Sequence, residues 1–201
     1  MKNLFFSNFL KGKTHAQKIA FLGLFTAINV VFNAFFEFKT LDVQFSFTIF
    51  ISALTGVITG PISGFLVCML ADFIGYLINS FGYLYMPWVG IAMGVLAFFA
   101  GLIFSKNSEK LILKTALVCT VSLFLCTILI NSTGFYFYNK AMGFTSSVIE
   151  YVSETFGGES ISYFAYLCYR LIFKGQIFNS LFNFALLFVA LPALKKAKIV
   201  L

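Results

Sequence analysis

The sequence predicts an all-α integral membrane protein, a compact bundle of six transmembrane helices with both termini cytoplasmic. Three observations predict it. Of 201 residues, 60% are hydrophobic and 10% charged, with a mean hydropathy of +0.95, which is more apolar surface than a soluble chain of this length can bury. The apolar residues are spread along nearly the whole chain in runs, most of them long enough to fill a bilayer core at about 18 residues each. The lysines gather on alternate connections between those runs. Nothing marks a second domain, so residues 1–201 read as one membrane domain.

The first span, about 17–36, follows a basic segment carrying Lys2, Lys11, Lys13 and Lys18. No small-residue cleavage signature follows its apolar run, so it is expected to remain as a helix. A short second span, 46–59, ends at Thr59-Gly60-Pro61, where Gly and Pro stop one helix and open the next, 62–79. Spans at 84–104, 111–134 and 163–194 complete the set.

Six spans put both termini on one side, together with Lys106, Lys110, Lys114, Lys195, Lys196 and Lys198, opposed there only by Glu109. The other side receives Lys39 and Lys140 with Glu37, Asp42, Glu150, Glu154 and Glu159. The positive-inside rule makes the lysine-rich side cytoplasmic, and five or seven spans would misplace the C-terminal lysines. This placement accounts for the net charge of +7 better than nucleic-acid binding does. The longest external connection, about 135–162, holds Gly143, Gly157-Gly158 and Ser146-Ser147, and suits a lid or binding loop, or else a solvated spacer.

Cys68, Cys119, Cys126 and Cys168 fall inside apolar runs without metal-ligand spacing, and the single His15 precedes the membrane. Metal binding and histidine catalysis therefore lack raw material, and no cofactor is expected. Small residues form two helical stripes. Ala20, Gly23, Ala27 and Ala34 on the first helix suit a partner subunit or internal packing, and Gly90, Gly94, Ala97 and Gly101 on the fourth suit internal packing.

Ionisable groups inside a bilayer are costly and are functional candidates. Asp72 shares a face with Gly75, Tyr76 and Asn79, and Arg170 and Lys174 share one with Tyr163 and Tyr166. Arg grips a carboxylate in a bidentate way and Lys adds a point charge, so this pair suits a carboxylate on an aromatic body. The alternatives are that Arg170 neutralises Asp72, or that Lys174 snorkels outward. Gln176, Asn179 and Asn183 form a second polar stripe, nearly opposite the first on one continuous helix. Asn131 stands with Thr127 near the outer end of the fifth span. Tyr85 and Trp88 begin the fourth, where Trp88 serves as an interfacial anchor or as a stacking wall.

The basic N-terminus, Gly23-xxx-Ala27, the stretch Ser52-Ala-Leu-Thr-Gly-Val-Ile-Thr-Gly-Pro-Ile-Ser-Gly and the motif Ala71-Asp72-Phe-Ile-Gly75 resemble S components of energy-coupling factor (ECF) vitamin transporters. Leu129-Ile-Asn131-Ser and Tyr169-Arg170-Leu-Ile-Phe-Lys174 are most similar to the folate type. The resemblance implies a six-helix, non-enzymatic subunit in a prokaryotic plasma membrane. It would capture a vitamin from outside and join a transmembrane coupling (T) subunit and two cytoplasmic ATPases. Gly23 and Ala27 match the family's docking face, and the substrate residues expected from the chain's own intramembrane polar and aromatic groups are Asp72, Asn79, Tyr85, Trp88, Asn131, Tyr166, Arg170 and Lys174. The chain has no GxxxxGK[ST] loop, so ATP would be used by the partners. Thiamine, riboflavin, a pyrimidine precursor or pantothenate are the other vitamins considered. A self-sufficient small-solute carrier is the competing class, though only Asp72 qualifies as a coupling acid. The long third external loop departs from the family pattern.

Overall fold

The computed structural model describes residues 4–40, 43–80, 84–105, 110–158 and 160–197, with the backbone alone at 37–40, 43 and 44. Lys2, Asp42, Tyr83, Lys106, Glu109, Glu159 and Lys198 lie outside the described residues. Helices dominate: α1 (Asn8–Lys11), α2 (His15–Phe35), α3 (Thr48–Thr59), α4 (Pro61–Ile78), α5 (Pro87–Phe104), α6 (Leu111–Met142), α7 (Ser146–Phe156), α8 (Tyr163–Phe173) and α9 (Gln176–Lys196). Among the described residues α2, α4, α5, α6 and α9 have the length and apolarity to cross a bilayer.

Local chemistry fixes the boundaries. Thr14 caps α2 through a reciprocal pair of bonds with Gln17, in which the Thr14 hydroxyl accepts from the Gln17 N–H at 3.3 Å and the Gln17 side chain accepts from the Thr14 N–H at 3.1 Å. The expected turn between α3 and α4 is present. Gly60 holds φ at +117°, a conformation that side chains disfavour, and Pro61 opens α4 where its missing N–H costs nothing. The N-terminal segment crosses this turn, with the Ser7 N–H donating to the Thr59 carbonyl at 3.0 Å and the Ile62 N–H to the Leu4 carbonyl at 3.2 Å.

Three features differ from the sequence expectation. A two-stranded antiparallel hairpin, β1 (Glu37–Thr40) and β2 (Val43–Ser46), precedes α3. The helix expected to end near 134 runs on to Met142, and α7 lies inside what was read as one long loop. Aromatic residues explain both extensions: Tyr136 and Phe144 pack with Tyr166, and with Val148, Val152, Ala165 and Tyr169 they build a satellite core. Finally, the span expected at 163–194 is two helices. The chain breaks at Lys174–Gly175, where Gly175 takes a left-handed φ of +67°.

The main core joins α3, α5, α6 and α9 through Ala53, Val57, Leu96, Ala100, Val118, Leu187 and Leu191. The small stripe on α5 is packed inside: a Cβ at Gly101 would lie 2.7 Å from the Gly56 carbonyl oxygen and the Pro61 nitrogen, and one at Gly94 2.9 Å from the Phe65 ring. Such close backbone approach is how helices associate where lipid removes the hydrophobic incentive. On α2, Ala20, Gly23 and Ala27 are exposed and only Ala34 turns inward. Buried Asn29 locks α2 to its neighbours, donating to Thr55 Oγ1 at 2.7 Å while its carboxamide oxygen meets Cys68 Sγ at 3.8 Å.

Candidate functional site

A cavity of about 290 Å³ lies at the end of the bundle that carries the hairpin. Its volume falls near the lower limit for sites that take one small organic molecule. The walls come from the C-terminal parts of α2 and α4, the start of α3, the N-terminal half of α5, the middle of α6, Arg170 of α8 and the start of α9. Polar side chains recur around it: Asn33, Thr48, Asp72, Asn79, Thr127, Asn131, Arg170, Gln176 and Asn179. Phe32, Tyr76, Tyr85 and Phe135 add rings.

Arg170 is the only cation on this lining among the described residues. Its side chain is 8% exposed, its guanidinium carbon sits 4.2 Å from the centroid of the Phe135 ring, and Nη1 donates to the Asn131 carbonyl at 3.1 Å. Guanidinium over an aromatic face is favourable, and a further net gain follows when the pair is shielded from water. One carbonyl leaves most of the five guanidinium donors unused. The Asn131 carboxamide oxygen, also buried, has no hydrogen-bond partner among the described residues.

Asp72, the one acid on the lining among the described residues, occupies another wall and is hydrogen-bonded by the Tyr85 phenol. It lies close against α5, where a Cβ at Gly90 would come within 2.7 Å of its carboxylate. No ion pair joins Asp72 to Arg170 among the described residues, which removes neutralisation of one by the other as the explanation of their burial.

Two irregular helices set this geometry. Residues Ser122–Ser132 of α6 are wound as a π-helix, and Thr127 and Ser132 follow its spacing, their hydroxyls donating to the carbonyls five residues back, Ser122 at 3.0 Å and Thr127 at 2.8 Å. Such segments concentrate at functional sites because they re-aim side chains. The second irregularity is the break at Gly175. It resets the helical phase, so that Arg170 before it and Gln176 and Asn179 after it line the same cavity, although a continuous helix would have placed them on opposite faces.

The two asparagines of α9 also fasten the hairpin. Asn179 Oδ1 accepts from the Ser46 N–H at 2.9 Å, Asn183 Oδ1 accepts from the Phe50 N–H at 2.9 Å, and Asn183 Nδ2 donates to the Ser46 carbonyl at 2.7 Å.

Of the residues singled out from sequence, Asp72, Asn79, Tyr85, Asn131 and Arg170 meet at the cavity. Three lie elsewhere. Tyr166 is buried in the satellite core with its hydroxyl accepting from Asn139 at 3.0 Å. Lys174 falls at the helix break, its ammonium 5.8 Å from the Tyr169 ring. Trp88 packs between α5 and α6 against Gly134, Phe135 and Tyr138, behind the cavity wall. Sequence reasoning missed Asn33 and Phe135. Asn33 was detectable, since it lies one turn beyond Asn29 on an apolar helix, and two carboxamides on neighbouring turns of a membrane helix need partners or a cavity.

Comparison with known proteins adds two findings. The family model of the ECF-type riboflavin transporter S component matches residues 13–158. Among solved structures, the crystal structure of FolT bound with folic acid is similar with a TM-score of 0.59 at 21% identity, covering 89% of this chain and 92% of that one, and at that identity the likeness is one of fold. A search of curated proteins finds no match.

Proposed function

Because this chain belongs to the family of ECF-type riboflavin transporter S components, we propose that its cavity captures a flat, ring-bearing vitamin from outside the cell, with a folate as first substrate. One observation carries the assignment: among the described residues, a buried guanidinium lines a polar cavity with no carboxylate paired to it. Leaving such a charge uncompensated costs several kcal/mol, roughly 3–5 when one partner of a buried pair is missing. A carboxylate on the ligand supplies the missing partner, and the adjoining rings accept its flat body.

Counting α8 and α9 as one interrupted crossing and α3 as a short one gives six crossings, with α2, α4, α5 and α6. The lysines of the termini and of the α5–α6 connection then face the cytoplasm, and the cavity faces outward, in the plasma membrane of a prokaryote. Delivery would require a transmembrane coupling subunit and two cytoplasmic ATPases. The exposed small residues Gly23 and Ala27 offer the docking face, since no described residue lies within 4 Å of a Cβ built at Gly23.

A second reading, riboflavin, is favoured by the description of the matching family and by the position of Lys174 away from the cavity, which leaves a single cation for a ligand tail. Titrating detergent-purified protein with a vitamin panel, read by the fluorescence of Trp88 behind the Phe135 wall, separates the two. Folic acid is expected to give saturable quenching. A response to riboflavin with none to any folate would transfer the assignment, and transport by the chain alone in proteoliposomes would contradict the need for partners.

A further inference from the structure

The geometry points to Asp72 as the residue that selects the heterocycle, by accepting two parallel hydrogen bonds from a ring edge that carries an N–H beside an exocyclic amine, as in a 2-amino-4-oxopyrimidine. This rests on the reading of the cavity as the vitamin site and names the chemistry of one of its walls.

Three observations combine. Asp72 is the only acid on the lining among the described residues, and it stands on a wall separate from the only cation. Its carboxylate takes one hydrogen bond from the Tyr85 phenol, whereas an ionised carboxylate has about four acceptor positions. The rings of Tyr76 and Tyr85, 5.1 Å apart between centroids, line the cavity beside it and suit a flat body. Gly90 permits the arrangement, because any side chain there would meet the Asp72 carboxylate at 2.7 Å.

A cavity with one acid and one cation on different walls, not ion-paired with each other, fits a ligand that bridges them, presenting donors at one end and an anion at the other. A 2-amino-4-oxopteridine with an acidic tail has both. The imide edge of a flavin alternates acceptor, donor, acceptor, and would set carbonyl oxygens against the carboxylate. The wall thus discriminates by leaving a wrong edge unpaired, the form of selectivity that rejects analogues most strongly.

The test compares folic acid with its 2-desamino-2-methyl analogue and with riboflavin, by equilibrium binding to the wild-type protein and to Asp72→Asn. The wild type is expected to prefer the 2-amino compound by at least 30-fold, and Asp72→Asn to lose most of that preference while binding the 2-desamino analogue within about 3-fold of wild type. Wild-type protein that binds both pteridines equally would overturn the inference, whether or not the variant folds. Folic acid binding that is unchanged in Asp72→Asn would overturn it while leaving the vitamin-site reading intact. Wild-type protein that binds riboflavin and no pteridine would overturn the inference together with the folate assignment.

Discussion

The guanidinium of Arg170 rests 4.2 Å from the centre of the Phe135 ring, and the two side chains reach each other from α8 and α6 across the wall of the cavity. Phe135 lies against the cation on one side and the Asn131 carbonyl holds one nitrogen. Arg170→Gln removes the charge and keeps a planar amide. It is expected to weaken folate binding by about 30- to 1000-fold, the range for losing a charge-assisted bond at a shielded site. Lys174→Gln, at the helix break, is expected to change affinity by less than about 3-fold. Isothermal titration of both variants checks the contrast.

Asn183 ties α9 to the chain on either side of Phe47 through Ser46 and Phe50. Asn183→Leu takes the side-chain partner from a half-buried backbone N–H and from a half-buried carbonyl, at about 1–3 kcal/mol. The expected result is a lower melting temperature in detergent, with a larger drop than for Asn139→Leu, whose partner Tyr166 lies in the satellite core.

Gly134→Ala drives a methyl into the Trp88 indole. Overpacking of this kind typically costs about 1–3 kcal/mol. The variant is expected to shift the Trp88 emission maximum and to lower thermal stability, and an unshifted spectrum would show that the wall yields freely.

Gly175→Ala imposes a side chain at φ +67°, and Gly60→Ala does so at φ +117°, where the new carbon also meets Ser7 and Phe6. The first costs on the order of 1–2 kcal/mol from conformation alone. The second is expected to be the more damaging, measured as relative yield of monodisperse protein and as melting temperature.

Gly23→Leu and Ala27→Leu fill an exposed stripe of α2, where no described residue lies within 4 Å of a Cβ built at Gly23. Vitamin affinity is expected to remain within about 2-fold, while copurification with a coupling subunit and ATPases is lost. Retained copurification would place the docking surface elsewhere.

Much of this architecture is legible in the residues. Apolar runs locate the helices, Gly60-Pro61 separates α3 from α4, and the costs of burying Asp72 and Arg170 point to the walls that hold them. What periodicity misses is a change of phase. At 100° per residue Arg170 and Asn179 belong to opposite faces, yet the break at a left-handed glycine brings both to one cavity. The π-wound stretch before Ser132 shifts Asn131 in a similar way. Tyr166 and Trp88 were drawn to the site by composition, since aromatic rings suit a ligand and a satellite core equally well, and only long-range packing against Tyr136, Phe144 and Gly134 separates the two roles.

A structure of the complex with folic acid tests the central claim most directly. The account predicts a ligand carboxylate at about 2.7–2.9 Å from a guanidinium nitrogen of Arg170, the separation of a charge-assisted bond. Folic acid bound outside the cavity, or inside it with its carboxylates turned away from Arg170, would contradict the account.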